Sequence, residues 1–301
     1  MNEKRCAQGA HAPLKTRILH PVRKRQDWPR RAEAEGTVRR VVVLDTETTG
    51  LDAHRHDLIE ISAAIVLVNE AGRIVAIEQL KSGLVDPGYP LPPHIAELTG
   101  LSDADLAGRS INQDDLVDYL ESANAIIAFN AGFDRPFVEK LVPALRLMPW
   151  GCAMKDVAWR ELGFEPGPQG YLLNQIGRLM PKAHRAADDV LALIELLDHV
   201  GNDGTSIMAK VLAAIDEPAW RFEAKGAPFR FRHDLRDRNY RWAPGGLQKV
   251  WHKLVRYDDF DHEVAWYEEV IGQRPQIVPL PASQRYRAER TWRPAWTASS
   301  P

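Results

Sequence analysis

An unbroken apolar run, Val41–Leu44, ends in Asp45, Thr46 and Glu47 and then a Thr-Thr-Gly turn. A short apolar run closed by a turn predicts a buried strand of a covered sheet. Residues 58–68 (LIEISAAIVLV) and 73–81 (RIVAIEQLK) predict two more strands, joined by a hairpin turn at Asn69–Gly72. Together these three strands open a mixed sheet. Residues 86–93 hold four prolines and predict a loop, 94–99 a helical turn closed by Gly100, and 114–123 a helix with acids in its first turn, where the helix dipole favours them. Residues 125–129 (AIIAF) predict the next buried strand, which passes through Asn130–Asp134 into a helix ending near Leu141. Cys152 is expected in a buried strand as a small apolar residue. Residues 171–180 read as helical. Ala186, Ala187, Val190, Leu193, Ile194 and Leu197 recur at helical spacing and predict the strongest helix of the chain.

The polar residues at the ends of these elements are the candidate chemistry. Side chains 45 and 47 share one face of a strand. Two adjacent carboxylates repel each other unless a cation holds them. They are either hard oxygen ligands for Mg²⁺ or Mn²⁺ or strand-end acids in solvent. Asp134 follows a later strand, near the edge where open α/β sheets gather ligands, but taken alone it reads first as a helix cap. On the last helix Asp189 lies at the edge of the apolar stripe, beside Leu193 and Leu196. Asp188 shares a face with Glu195 and reads as solvated, so Asp189 is the inward acid. His184, just before this helix, either reaches the same site or is a surface or packing histidine.

The chain has 301 residues, 45% hydrophobic and 27% charged, enough for one large domain and a smaller one. No run of about 18 apolar residues occurs, so no membrane partner is expected. The N-terminus lacks a secretory pattern, and Cys6 and Cys152 form neither a metal-type spacing nor a disulfide framework. A cytoplasmic location is the expectation. The net charge of -2 conceals an asymmetry: 11 Lys and Arg against 4 Asp and Glu in 1–40, 12 against 24 in 41–200, and 16 against 13 in 201–301. An acidic middle with basic flanks suits a metal-binding core with arms that catch a polyanion, or a protein whose charged flanks keep it in solution.

Taken together, DTETTG at 45–50, LTGL at 98–101, FNAGFD at 129–134 and HRAADD at 184–189 resemble the DEDDh (DnaQ-like) branch of 3′→5′ exonucleases, which includes the proofreading subunit of bacterial DNA polymerase III. The resemblance covers roughly residues 40–200. It implies a ribonuclease H-like α/β domain and removal of nucleotides from 3′ ends as nucleoside 5′-monophosphates. It also implies two divalent ions, Mg²⁺ or Mn²⁺, held by Asp45, Glu47, Asp134 and Asp189, with His184 as general base. Against the 3′-terminal nucleotide it places Thr48, Leu51, Leu98, Asn130 and Phe133; for Leu51, Leu98 and Phe133, core packing is the competing reading. The implied partner is the 3′ end of DNA, in replication or repair, with RNA as the alternative because the same acids serve both. A proofreading role needs a DNA polymerase subunit as partner. A chain acting chiefly as a nucleic-acid-binding module is the competing class.

Four segments follow from this reading. Residues 1–37 form a flexible basic arm, 38–203 the exonuclease domain, 204–272 a small α+β accessory domain and 273–301 a Pro-rich tail, extended or disordered. Residues 217–256 hold 10 Lys and Arg against 4 Asp and Glu, interleaved with aromatics such as Trp220, Phe229, Phe231, Trp242 and Trp251. Cations meeting phosphates and rings stacking on bases suit nucleic acid. A domain whose own core takes the rings, with Arg outside, gives the same alternation. Residues 258–270 predict an acidic amphipathic helix. In the tail, Gln276–Leu280 (QIVPL) is faintly similar to a sliding-clamp-binding peptide.

Overall fold

The computed structural model describes residues 18–28, 38–180, 184–243 and 249–287. A five-stranded sheet is built from β2 (Val38–Thr48), β3 (Leu58–Asn69), β4 (Ile74–Leu84), β5 (Ala125–Ala128) and β6 (Trp150–Cys152), after a two-residue β1 (His20–Pro21). The strand order is β4-β3-β2-β5-β6. The β2–β3–β4 meander is antiparallel, and β5 and β6 run parallel to β2. This mixed sheet flanked by helices is the ribonuclease H-like arrangement expected. Its parallel strands all end on the side where Asp45 and Glu47 lie.

Alternation along β2 divides the core. Val41 and Val43 face one apolar cluster and Val42 and Leu44 the other. The first cluster is closed by α6 (Ala186–Asp198), and the second packs Phe137 and Val138 of α4 (Ala131–Leu141). Between β4 and β5 come α1 (Pro93–Thr99), α2 (Asp103–Leu106) and α3 (Gln113–Glu121). Gly100 closes α1 in the left-handed conformation, φ 68°. Further on come α5 (Gln169–Gln175) and β7 (Arg178–Leu179). The helix expected over 171–180 therefore stops early, because Gly177 adopts φ 81° and turns the chain into a strand.

The basic arm expected over 1–37 is not uniformly free. Residues 18–28 dock: β1 pairs in parallel with β7, and Trp28 is buried in the main core. The cause lies on α6. Glu195, which the helical wheel placed in solvent beside Asp188, is buried, whereas Asp188 is exposed. A buried carboxylate requires partners, and it receives Arg23 Nε at 2.8 Å and Arg178 Nε at 2.7 Å. Residues 1–17 and 29–37 lie outside the described residues.

The domain boundary expected at 203/204 also moves. Helix α7 (Ile207–Asp216) buries Ile207, Met208, Val211 and Ile215 in the main core. It lies so close to β6 that a Cβ at Gly151 would sit 2.7 Å from Val211 Cγ1. The accessory sheet begins only at β8 (Ala219–Glu223). It adds β9 (Arg241–Ala243), β10 (Val250–Arg256) and β11 (Gln276–Pro279), in the order β11-β8-β10-β9. Its helices are α8 (Arg232–Asp237) and α9 (Phe260–Ile271). Phe222, Leu235, Tyr240, Val255 and Tyr267 form its core, so core packing accounts for much of the aromatic pattern, while Phe229, Trp242 and Tyr257 stay exposed.

The tail expected to be extended is folded as far as residue 287, and 288–301 lie outside the described residues. Residues 276–279 are an edge strand, the position in a sheet that tolerates Pro279. Val278 and Leu280 are buried, so QIVPL is committed to the sheet and is not a free clamp-binding peptide. Two fully buried arginines hold this segment. Arg135 donates to the carbonyls of Arg285 and Ser283, both at 2.7 Å, and Arg285 donates to those of Glu217, at 2.7 Å, and Ala214. Among the described residues no helix is long and apolar enough to cross a membrane.

Candidate active site

The β2 alternation that splits the core also sorts the acids. Asp45 and Glu47 continue the Val41–Val43 face and so meet α6. There Asp189, one turn into the helix, completes a group of three carboxylates, one oxygen of each lying within 4.8 Å of the others. Thr46 points to the α4 face instead, and its hydroxyl donates to Asp134 Oδ1 at 2.8 Å. Asp134 is thus held inside the first turn of α4, whose N-cap position is Asn130, and the capping reading of Asp134 does not hold. It lies beside Asp45 but outside the converging three.

Burial dominates the electrostatics of all four acids. Burial, followed by the charges of Asp134, Asp189 and Glu47, holds the Asp45 carboxyl well above its usual range. Burial and then Asp189 and Glu60 push Glu47 up to about 8. Burial pushes Asp134 up to about 7 against the pull of the Thr46 hydroxyl. Burial raises Asp189 to about 6, offset by backbone N–H groups of His184 and Arg185. Carboxyls crowded in this way resist ionising together, and a divalent cation among them removes the penalty. An all-oxygen, all-carboxylate donor set fits a hard ion such as Mg²⁺ or Mn²⁺.

His184 precedes α6 in the left-handed region, φ 70°, which His enters more readily than most residues. Its backbone N–H donates to Asp189 Oδ2 at 2.9 Å. The residue is exposed, and its imidazole is not in the converging group.

The other expected contacts differ in environment. Thr48 is buried, with its hydroxyl donating to Gly50 O at 2.7 Å. This closes the turn that projects Leu51, which is 87% exposed. Lys140 Nζ donates to Asp57 Oδ1 at 2.8 Å and ties down the far end of that loop. Leu98 is 46% exposed on α1, whose other face packs Ile95 with Leu91, Leu101 and Leu106. Core packing therefore accounts for neither Leu51 nor Leu98. It does account in part for Phe133, which is half-buried with its ring 5.3 Å from Phe137.

Sequence reasoning missed three residues: Thr46, Glu60 and Arg185. Glu60 stands directly opposite Glu47 in the β2–β3 ladder. It is buried, accepts from Arg185 Nη2 at 3.0 Å and Nε at 3.1 Å, and accepts from the Ala186 N–H at 3.3 Å. The carboxylate thereby fixes the first residue of α6, three positions before Asp189. A lone acid inside the apolar run LIEISAAIVLV was the available signal.

Residues 42–197, just over half of the chain, match the family model described as exonuclease, RNase_T. The chain belongs to this exonuclease family. Within it the acid set is of the DnaQ-like kind. Over 99 residues the chain is 39% identical to a DNA polymerase III PolC-type of Streptococcus thermophilus, a match covering 32% of this chain and 6% of that polymerase. A DNA polymerase III PolC-type of Streptococcus pyogenes serotype M1 is also 39% identical, over 103 residues, with the same shares. The chain thus spans a small fraction of the length of these curated relatives. Among solved structures it is similar to exonuclease I, with TM-score 0.46 and 15% identity, covering 80% of this chain and 64% of that one. It is also similar to exonuclease X in complex with 5′ overhanging duplex DNA, with TM-score 0.39 and 24% identity, covering 56% of this chain and 99% of that one. The fold assignment rests on the strand order.

Proposed function

We propose that this member of the exonuclease family is a 3′→5′ exonuclease that hydrolyses the terminal phosphodiester bond of DNA and releases nucleoside 5′-monophosphates. The carrying observation is the convergence of Asp45, Glu47 and Asp189 from two elements onto one point, with Asp134 alongside. These four would hold two divalent ions, Mg²⁺ or Mn²⁺. When bound, such ions supply charge stabilisation to the reacting phosphate and acidify water. His184, presented to solvent on its left-handed turn, takes the proton of the attacking water, a task suited to imidazole. Leu51 and Leu98 wedge against the terminal base, Phe133 packs on its sugar, and Thr48 and Asn130 line the remaining wall. DNA is favoured because the similar stretch in the curated relatives belongs to DNA polymerases. In a proofreading role the protein would act with a polymerase subunit, and co-purification with one would support this.

The test uses 5′-labelled DNA and RNA, single and paired, with Mg²⁺ or Mn²⁺ and Asp45→Ala alongside. A DNA ladder shortening from the 3′ end, absent with EDTA and in the variant, is expected. Shortening of RNA alone would reassign the substrate, and intact strands from folded protein would refute the activity.

A further inference from the structure

The seam between the nuclease and accessory domains is an open cleft of about 740 Å³. Its accessory wall follows from strand alternation. In the β8–β10–β9 ladders Leu254 pairs with Arg221 and His252 pairs with Arg241, so these side chains share one face of the sheet. The opposite face carries Trp220, Phe222 and Val255 into the domain's own core. The nuclease wall is supplied by the start of α4 and the turn after β6, at Gly132, Lys155 and Asp156.

The cleft is cationic. Lys155, Arg221, Arg241, Lys253, Arg256 and Arg287 line it. Four of them are paired: Arg221 with Glu223, Lys253 with Glu263, Arg256 with Asp156 and Arg287 with Glu139. Glu263 and Glu139 are shared with Arg238 and Arg135, and Lys155 and Arg241 are exposed, so among the described residues cations outnumber carboxylates at the cleft. At Gly132, in the first turn of α4, the cleft comes beside Asn130. A Cβ at Gly132 would lie 3.3 Å from Lys155 Nζ and 3.9 Å from Asn130 Oδ1. Asn130 and Phe133 are the residues assigned above to the terminal nucleotide.

We propose that this cleft binds the sugar-phosphate backbone of the strand on the 5′ side of the 3′-terminal nucleotide, with Lys155 and Arg241 meeting successive phosphates. The proposal rests on the exonuclease reading and deepens it. The accessory domain then acts as a track that holds the strand between cleavage events, through charge and not base identity.

The test measures fluorescence anisotropy of the full chain in EDTA with 5′-labelled oligothymidylates, from a dinucleotide to about twelve nucleotides. Native protein should bind more tightly with length until the cleft is filled. Lys155→Glu/Arg241→Glu should flatten that dependence. It should also make the slope of log K against log salt shallower by about 1.4, two phosphate contacts at about 0.7 each. Both side chains are exposed, so the fold should tolerate the changes. Lys225→Glu, the same charge reversal at an exposed position outside the cleft, should leave the length dependence intact. Length-independent native binding, or an unchanged double variant, overturns the proposal. Weakening by Lys225→Glu alone overturns it too and moves the strand to the other side of the sheet. Hydrolysis of the p-nitrophenyl ester of thymidine 5′-monophosphate by native protein with Mn²⁺ reports separately on catalysis. Failure there removes the exonuclease reading, whatever the length series shows.

Discussion

Stripping divalent ions from the site should make the fold progressively less stable as pH rises. Glu47 has an ordinary value of 4.5 and a folded value of about 8. Between these values the folded chain keeps a proton that the unfolded chain has lost, so raising the pH favours unfolding. The associated stability is fully present below about pH 4.5 and is lost as pH climbs through about 8. At about 1.4 kcal/mol per pH unit of difference, Glu47 alone corresponds to up to about 5 kcal/mol. Asp134 and Asp189, raised to about 7 and about 6, act in the same direction. The four carboxyls share protons and their contributions do not add. A total loss of about 5 kcal/mol between about pH 5 and pH 9 is therefore expected, a large part of a domain's usual stability. Asp57, Asp86, Asp105 and Asp203 are held below their usual values, so their losses come in acid, outside this window. The assay is urea unfolding across that range, with EDTA or with excess Mn²⁺. In EDTA the midpoint should fall steadily with pH. Mn²⁺ should flatten the curve and, at about 100 times its Kd, add about 2.7 kcal/mol. An EDTA curve that is level or rises with pH would refute the reasoning, because the acids would then be neither buried together nor in need of a cation.

Glu60→Gln keeps the size of the side chain but removes the charge that holds Arg185 and the start of α6. It should weaken Mn²⁺ binding and slow cleavage by about tenfold each, with about 1–2 kcal/mol lost in stability because Arg185 is 45% exposed. Isothermal titration and single-turnover kinetics check this, and unchanged values in both would remove the positioning role. Arg135→Leu strips a fully buried cation from Glu139 and from the carbonyls of Ser283 and Arg285. A loss of about 3–5 kcal/mol in urea unfolding, with earlier proteolysis after residue 272, is expected; wild-type stability would show that the tail is held otherwise. Leu51→Ala with Leu98→Ala should leave stability within about 0.5 kcal/mol per site while raising KM on a DNA strand. An unchanged KM would argue against the wedge.

Local pattern was enough to determine a good deal of this protein. The strand run into Asp45 and Glu47, the shared face of those two acids and the choice of Asp189 over Asp188 all follow from periods of 2 and 3.6 residues, which each segment carries within itself. The strand pattern was enough for a mixed sheet, and the resemblance carried by the acid motifs at the element ends implied the ribonuclease H-like fold class. What the tertiary structure decided depends on partners far away in the chain. Glu195 read as solvated because its helix face is polar, yet it is buried because Arg23 and Arg178 come to it. Arg135 and Arg285 carry no local signal of burial, yet they are buried on carbonyls from segments more than 60 residues distant. The Gly201–Gly204 turn has the composition of a linker, yet α7 beyond it completes the main core. A charged side chain specifies its need for a partner but not which chain segment supplies it, and burial is settled only when the segments meet. The Glu60 clamp and the cationic cleft belong to this second kind, which is why the acids were legible in the sequence and the surfaces that position them and the strand were not.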